Sequence, residues 1–148
     1  MTSVITGDII GSRQQKSEHW VEDLKKILAP FGKTPNQWEV YRGDEFQIEV
    51  SNPEDALLAA ILIKAHLRTI KSDARMSIGF GDKTHTAERI SESNGSAFIN
   101  SGELFETLKK QKVTLAMRTG DLDFDEKLNL MLQLALTFMD NWLVQSAE

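Results

Sequence analysis

The stretch that most constrains this chain is Val4–Arg13, Val-Ile-Thr-Gly-Asp-Ile-Ile-Gly-Ser-Arg. Ser3 to Thr6 reads as a buried strand, with the β-branched residues Val4, Ile5 and Thr6 in succession. Gly7 permits close backbone approach, Asp8 stands where that strand ends, and a short glycine-containing turn leads toward a helix. A carboxylate at a strand end, with backbone N–H groups directed outward just beyond it, is a frequent frame for metal and phosphate. A second acidic turn, Arg42-Gly43-Asp44-Glu45-Phe46, follows later. The function of the chain turns on whether these two segments meet.

The order of elements predicts that they do. Trp20, Val21, Leu24, Ile27 and Leu28 recur at helical spacing after a candidate N-cap, Ser17, and Pro30, Gly32 and Pro35 end that helix. Trp38–Val50 reads as a hairpin, with Gly43-Asp44 at its centre. Pro53 opens a long helix whose apolar face includes Ala56, Leu57, Ala60, Ile61, Ile63, the Lys64 stem, Leu67 and Ile70. Arg75–Gly81 is a strand. Lys83–Ser93 reads as helical or a helical turn, broken at Asn94-Gly95. Ser101–Lys110 is a helix, Val113–Met117 a strand, and about 123–146 a C-terminal helix. The expected fold is α+β: one ferredoxin-like βαββαβ domain over 1–148, an antiparallel sheet with helices on one face, plus an additional strand and that last helix. In this topology the first and third strands are antiparallel neighbours, so Asp8 faces the Gly43-Asp44 turn.

Composition narrows the partners. The net charge of −5 weakens any nucleic-acid reading, because phosphate neutralisation needs a basic face. With no cysteine there is no disulfide framework and no thiolate metal site. Neither a signal peptide nor a membrane span is legible, so a cytoplasmic location is expected.

Two carboxylates held close repel unless a proton is retained or a cation binds between them. Mg²⁺ suits one or two carboxylates completed by phosphates and water. The amides of Ile10, Gly11 and Ser12 are candidate phosphate donors, and Arg13 and Arg42 candidate charge-assisted contacts. Asp8 and Asp44 then make a site for a nucleoside triphosphate, ATP or GTP, with one or two metal ions. The plainer alternative is that Asp8 caps a helix and Gly43-Asp44 is an ordinary hairpin turn.

The segment Asp8-Ile9-Ile10-Gly11-Ser12 resembles the first acidic motif of class III nucleotidyl cyclases. Arg42-Gly43-Asp44-Glu45-Phe46 resembles the Gly-Gly-Asp-Glu-Phe turn of diguanylate cyclases, and Met76-Ser77-Ile78-Gly79 the strand that follows it. The resemblance implies a palm domain in which Asp8, Asp44 and the Ile9 carbonyl hold Mg²⁺, with Glu45 as the turn's second acid. Arg42 replaces the first glycine of that turn. His85 and Arg89 are the nearest match to the catalytic Asn and Arg of class III cyclases, with His85 read as a surface residue and Arg89 as a salt-bridge or phosphate partner. A broader likeness is to the SatD family of bacterial proteins, carried by Ile5–Arg13, Arg42–Gln47, Ser91–Phe98 and Asn129–Gln145. Such proteins commonly continue into a helix-turn-helix; this chain ends at Glu148 without one, so no nucleic acid is expected for it alone. The resemblance leaves two functions open: Mg²⁺-dependent triphosphate binding, extending to nucleotidyl cyclase-type transfer, or a non-catalytic regulatory or interaction domain linked to transcription.

Asp121, Asp123 and Asp125 alternate as in a calcium loop, but Glu126 and Leu132 stand where glycine and glutamate are needed, so they read as a helix start. His19, His66 and His85 have no metal spacing. The last helix is apolar beyond one face: Leu128, Met131, Leu132, Ala135, Phe138, Met139 and Trp142 form the expected buried stripe, with Leu130, Leu134, Leu136 and Leu143 around it. Docking on the domain and a homodimer through this helix are both open.

Overall fold

The computed structural model describes residues 1–11 and 19–147. Ser12, Arg13 and the Ser17 cap lie outside the described residues. The elements are β1 (Thr2–Ile9), α1 (His19–Leu28), β2 (Trp38–Tyr41), β3 (Glu45–Val50), α2 (Ala56–Thr69), β4 (Ala74–Gly81), α3 (Ser96–Gln111), β5 (Leu115–Arg118), α4 (Leu122–Met139) and α5 (Val144–Ala147). The sheet order is β2-β3-β1-β4-β5. β1 is antiparallel to both neighbours, and β5 adds in parallel to β4. This is the expected ferredoxin-like core with one further strand and a C-terminal helix.

Strand alternation gives the sheet two unlike faces. Ile5, Ile9, Phe46, Ile48, Met76, Ile78 and Met117 point into the main core with Leu24 and Leu28 of α1, Ala60 and Ile63 of α2, and Leu132 and Leu136 of α4. Alanines at 56, 59 and 60 let α2 sit low on the strands. Gly7 carries the ring of Phe46: a Cβ there would lie 2.6 Å from that ring and 2.8 Å from the Arg75 carbonyl oxygen.

The opposite face is polar and is covered in part by α3, an addition to the one-sided arrangement expected from the element order. Two small apolar groups form beneath this cover, Val4 with Ile90, Ala97 and Phe98, and Leu104 with Leu108 and Ala116. Between them the contact is hydrogen-bonded: Ser77 Oγ donates to the Ser101 carbonyl at 2.7 Å, and Ser101 Oγ donates to Thr6 Oγ1 at 2.6 Å. Gly79 makes this approach possible, since a Cβ there would stand 2.2 Å from the Ser101 amide nitrogen.

The hairpin turn is Arg42–Asp44, centred on Gly43 within the expected pair, with Arg42 (φ 49°) and Gly43 (φ 85°) both left-handed. Several boundaries differ from expectation for local reasons. The 83–93 segment is helical only in a single turn near its end. His85 and Asn94 pair as an isolated bridge, and one 3-10 turn covers Ile90–Glu92. α3 begins at Ser96 rather than Ser101, because Gly95 serves as its N-cap residue. The last helix stops at Met139. There Asp140 is drawn inward by Lys64 Nζ at 2.8 Å and Thr114 Oγ1 at 2.7 Å, while Arg68 donates to its carbonyl. At its start Asp121 accepts from the Phe124 amide at 3.0 Å, and Asp125 accepts from the Thr119 amide and hydroxyl, as a helix opening and not a calcium loop.

Lys64 is fully buried, its amine lying 2.8 Å from both Asp73 and Asp140. Removing one partner of a buried ion pair leaves the other charges uncompensated, which costs about 3–5 kcal/mol. Lys64→Ala is therefore expected to lower unfolding free energy by about that amount in urea titration. A loss under about 1 kcal/mol, the level of an exposed ion pair, would contradict it.

Candidate functional site

The register brings the two acidic segments together as the topology requires. Asp8 is the direct cross-strand partner of Glu45, and the Ile9 amide donates to the Asp44 carbonyl at 3.1 Å. Asp8 and Glu45 lie on the polar face at the end where the hairpin turns.

Their electrostatics contain two residues that the motifs did not single out. Arg75, opposite Asp8 on β4, reaches it with a fork: Nε to Oδ1 at 3.2 Å and Nη2 to Oδ2 at 3.3 Å. Lys109 of α3 reaches Glu45 at 3.2 Å and Glu106 at 3.0 Å, with its amine 4.4 Å from the Phe105 ring centroid. Burial raises the Asp8 pKa and Asp44 adds to the rise, while the hydrogen bond and charge of Arg75 oppose it. Burial alone would lower Lys109, but Glu106 and Glu45 outweigh it and hold its pKa up. Burial also raises the Tyr41 pKa, with Glu45 adding to it. Period-two reading of β4 puts Arg75 on the face of Ser77; its meeting with Asp8 depends on register, which the sequence does not print.

A cavity of about 430 Å³ opens beside the acids, lined by Thr6, Tyr41, Glu45, Gln47, Ser91 and Phe105. Arg42, at its rim, is 4.0 Å from Glu45 and largely exposed. Behind it the buried Glu39 is held by Arg89 and by Ser91 Oγ at 2.8 Å. Arg89 thus has the salt-bridge role, on an extended segment and not a helix, and His85 is exposed. A larger, open cavity of about 760 Å³ lies at the other end of the sheet, around Lys33–Gln37 and Lys83, remote from the acids.

One of the expected phosphate donors is already committed within the fold. The Ile10 amide donates to the Asp73 carbonyl at 2.9 Å and is not available to a ligand. Gly11 is exposed, in the left-handed region at φ 75° with open space around it. Among the described residues no group of three or more histidine or acidic side chains is placed to hold a metal ion. Of the acids at this end, Asp8 and Glu45 each already face a cation of the fold, Arg75 and Lys109.

No helix among the described residues is long and apolar enough to cross a membrane. Neither a protein-family model nor a curated protein matches the chain.

Because the native Asp8 binds its proton more tightly than the unfolded one, the stability this group contributes is greatest below its ordinary value of 3.8 and falls as pH rises through its raised native value. Arg75→Gln removes the two largest opposing effects, so the Asp8 midpoint is expected to move further up. A carbon-detected NMR titration of the Asp8 carboxyl measures this; a midpoint that stays or falls in the variant contradicts the assignment.

Proposed function

We propose that the domain binds a nucleoside triphosphate together with Mg²⁺ on its polar face, with binding rather than turnover as the principal role. The observation that supports this most directly is the pairing of Asp8 with the Asp44-Glu45 turn beside a cavity of about 430 Å³. Asp8 and Asp44 are the proposed metal contacts, with the Ile9 carbonyl as the family resemblance implies. Bound there, Mg²⁺ would neutralise triphosphate charge. Tyr41 and Phe105 offer aromatic walls, and Gln47 and Ser91 polar groups, to the rest of the ligand.

The built-in cations refine this reading. Arg75 already neutralises Asp8 and Lys109 already neutralises Glu45, so a free divalent ion gains little by entering. A metal arriving with a polyphosphate gives both cations new anionic partners. Mg²⁺ is thus expected to bind with the nucleotide and not before it. The same two ion pairs favour the second reading, a SatD-like, non-catalytic regulatory or interaction domain linked to transcription, in which Asp8 and Glu45 serve the fold through Arg75 and Lys109. A cytoplasmic location and a homodimer through α4 belong with either reading.

Calorimetry with ATP and GTP, with and without Mg²⁺, separates the two. Triphosphate binding is expected only with Mg²⁺ and is expected to weaken at least tenfold in Asp8→Ala, with no product on incubation. Absence of metal-dependent binding in the wild type would sink the nucleotide reading and leave the interaction domain; product formation would make the domain a transferase.

A further inference from the structure

The phase of α4 on the sheet differs from the expected stripe. Leu132, Leu136 and Met139 face the core, whereas Met131 and Phe138, expected inside, point outward. On the exposed side Leu130, Met131, Leu134 and Phe138 are 68%, 69%, 69% and 72% exposed. With Phe124, also exposed and on the same side of α4, they offer about 600–700 Å² of apolar surface at typical side-chain areas. Ordinary monomers carry a largest patch of about 300–600 Å². A standard interface buries about 800 Å² per partner. The stripe with its polar rim is therefore of the size a stable dimer needs.

The pattern along the helix selects the occupant. Leu130, Leu134 and Phe138 repeat every four residues about a central leucine, so reversing the helix sets an apolar side chain against each of these three, as a two-fold interface requires. We propose that α4 pairs with α4 of a second copy, antiparallel, with the two-fold axis at Leu134. The proposal rests on the homodimer named above and adds its axis. Leu130 then meets Phe138 of the partner subunit, and the two Leu134 side chains meet each other. Charge agrees with this direction. Asp123 and Lys127 fall on the same side of the helix, two turns and one turn before Leu130. A parallel pair would set each against its own copy, whereas the antiparallel pair carries Lys127 past Phe138 of the partner subunit toward the neutral Asn141 of the partner subunit.

The chain has no cysteine, so a single introduced thiol reports on the axis without interference. Sedimentation equilibrium on the full chain is expected to give a dimer, weakened at least tenfold in Leu134→Glu. Leu134→Cys is expected to form a disulfide-linked dimer under mild oxidation, while Ile99→Cys, on the exposed side of α3, is not. A wild-type monomer at high concentration would overturn both homodimer and axis. A dimer that Leu134→Cys fails to cross-link would overturn the axis and leave the homodimer.

Discussion

Burial of β1 on both faces is the constraint from which the rest of the structure follows. Ile5 and Ile9, with Gly7 between them, are committed to the main apolar core, and Val4, Thr6 and Asp8 meet the layer on the other side. Ile5 and Ile9 have no choice of environment, and Thr6 and Asp8 must find partners on the other side. A one-residue slip would exchange the two sets, so register is fixed by burial as much as by the turn. Asp8 is thereby held opposite Glu45 and within reach of Arg75. The acidic end of the site is set by packing some distance away from it.

The polar face has consequences for how α3 is attached. At its middle α3 docks through Ser77, Ser101 and Thr6, a contact that gains less from water exclusion than the Leu104 and Leu108 contact beside it and relies on geometry. Gly79 supplies that geometry by letting backbones approach. Lys109 and Phe105 on the same helix then stand over the acids and the cavity, which ties the shape of the site to the seating of a single helix.

The sequence carried the frame of this fold clearly and its interior pairings hardly at all. The β1 run and the Trp38–Val50 hairpin were legible because period-two alternation is local, and the nearness of Asp8 to the acidic turn followed from element order alone. Arg75 and Lys109 were not legible as site residues, since a cross-strand pair and a helix-to-sheet pair both depend on register. Asn94-Gly95 read as a breaker when it precedes the helix that starts at Ser96. The segment after Lys83 has residues compatible with a helix, yet its backbone bonds go to Asn94. In α4 leucine occurs on nearly every side, so periodicity indicated a helix without fixing which side turns inward. The glycine-containing turn after Asp8 suggested three phosphate donors, and the Ile10 amide is occupied by Asp73.

Asn129 has a consequence for how this molecule meets others. Its side-chain amide bonds Met117 twice, accepting from the backbone amide and donating to the carbonyl, both at 2.8 Å. An outer strand with open amides and carbonyls is a template on which a foreign strand can grow. Here one asparagine occupies that template at its middle and holds a helix across it. A strand added along β5 would have to displace Asn129 from Met117, which makes this edge a poor template for backbone pairing.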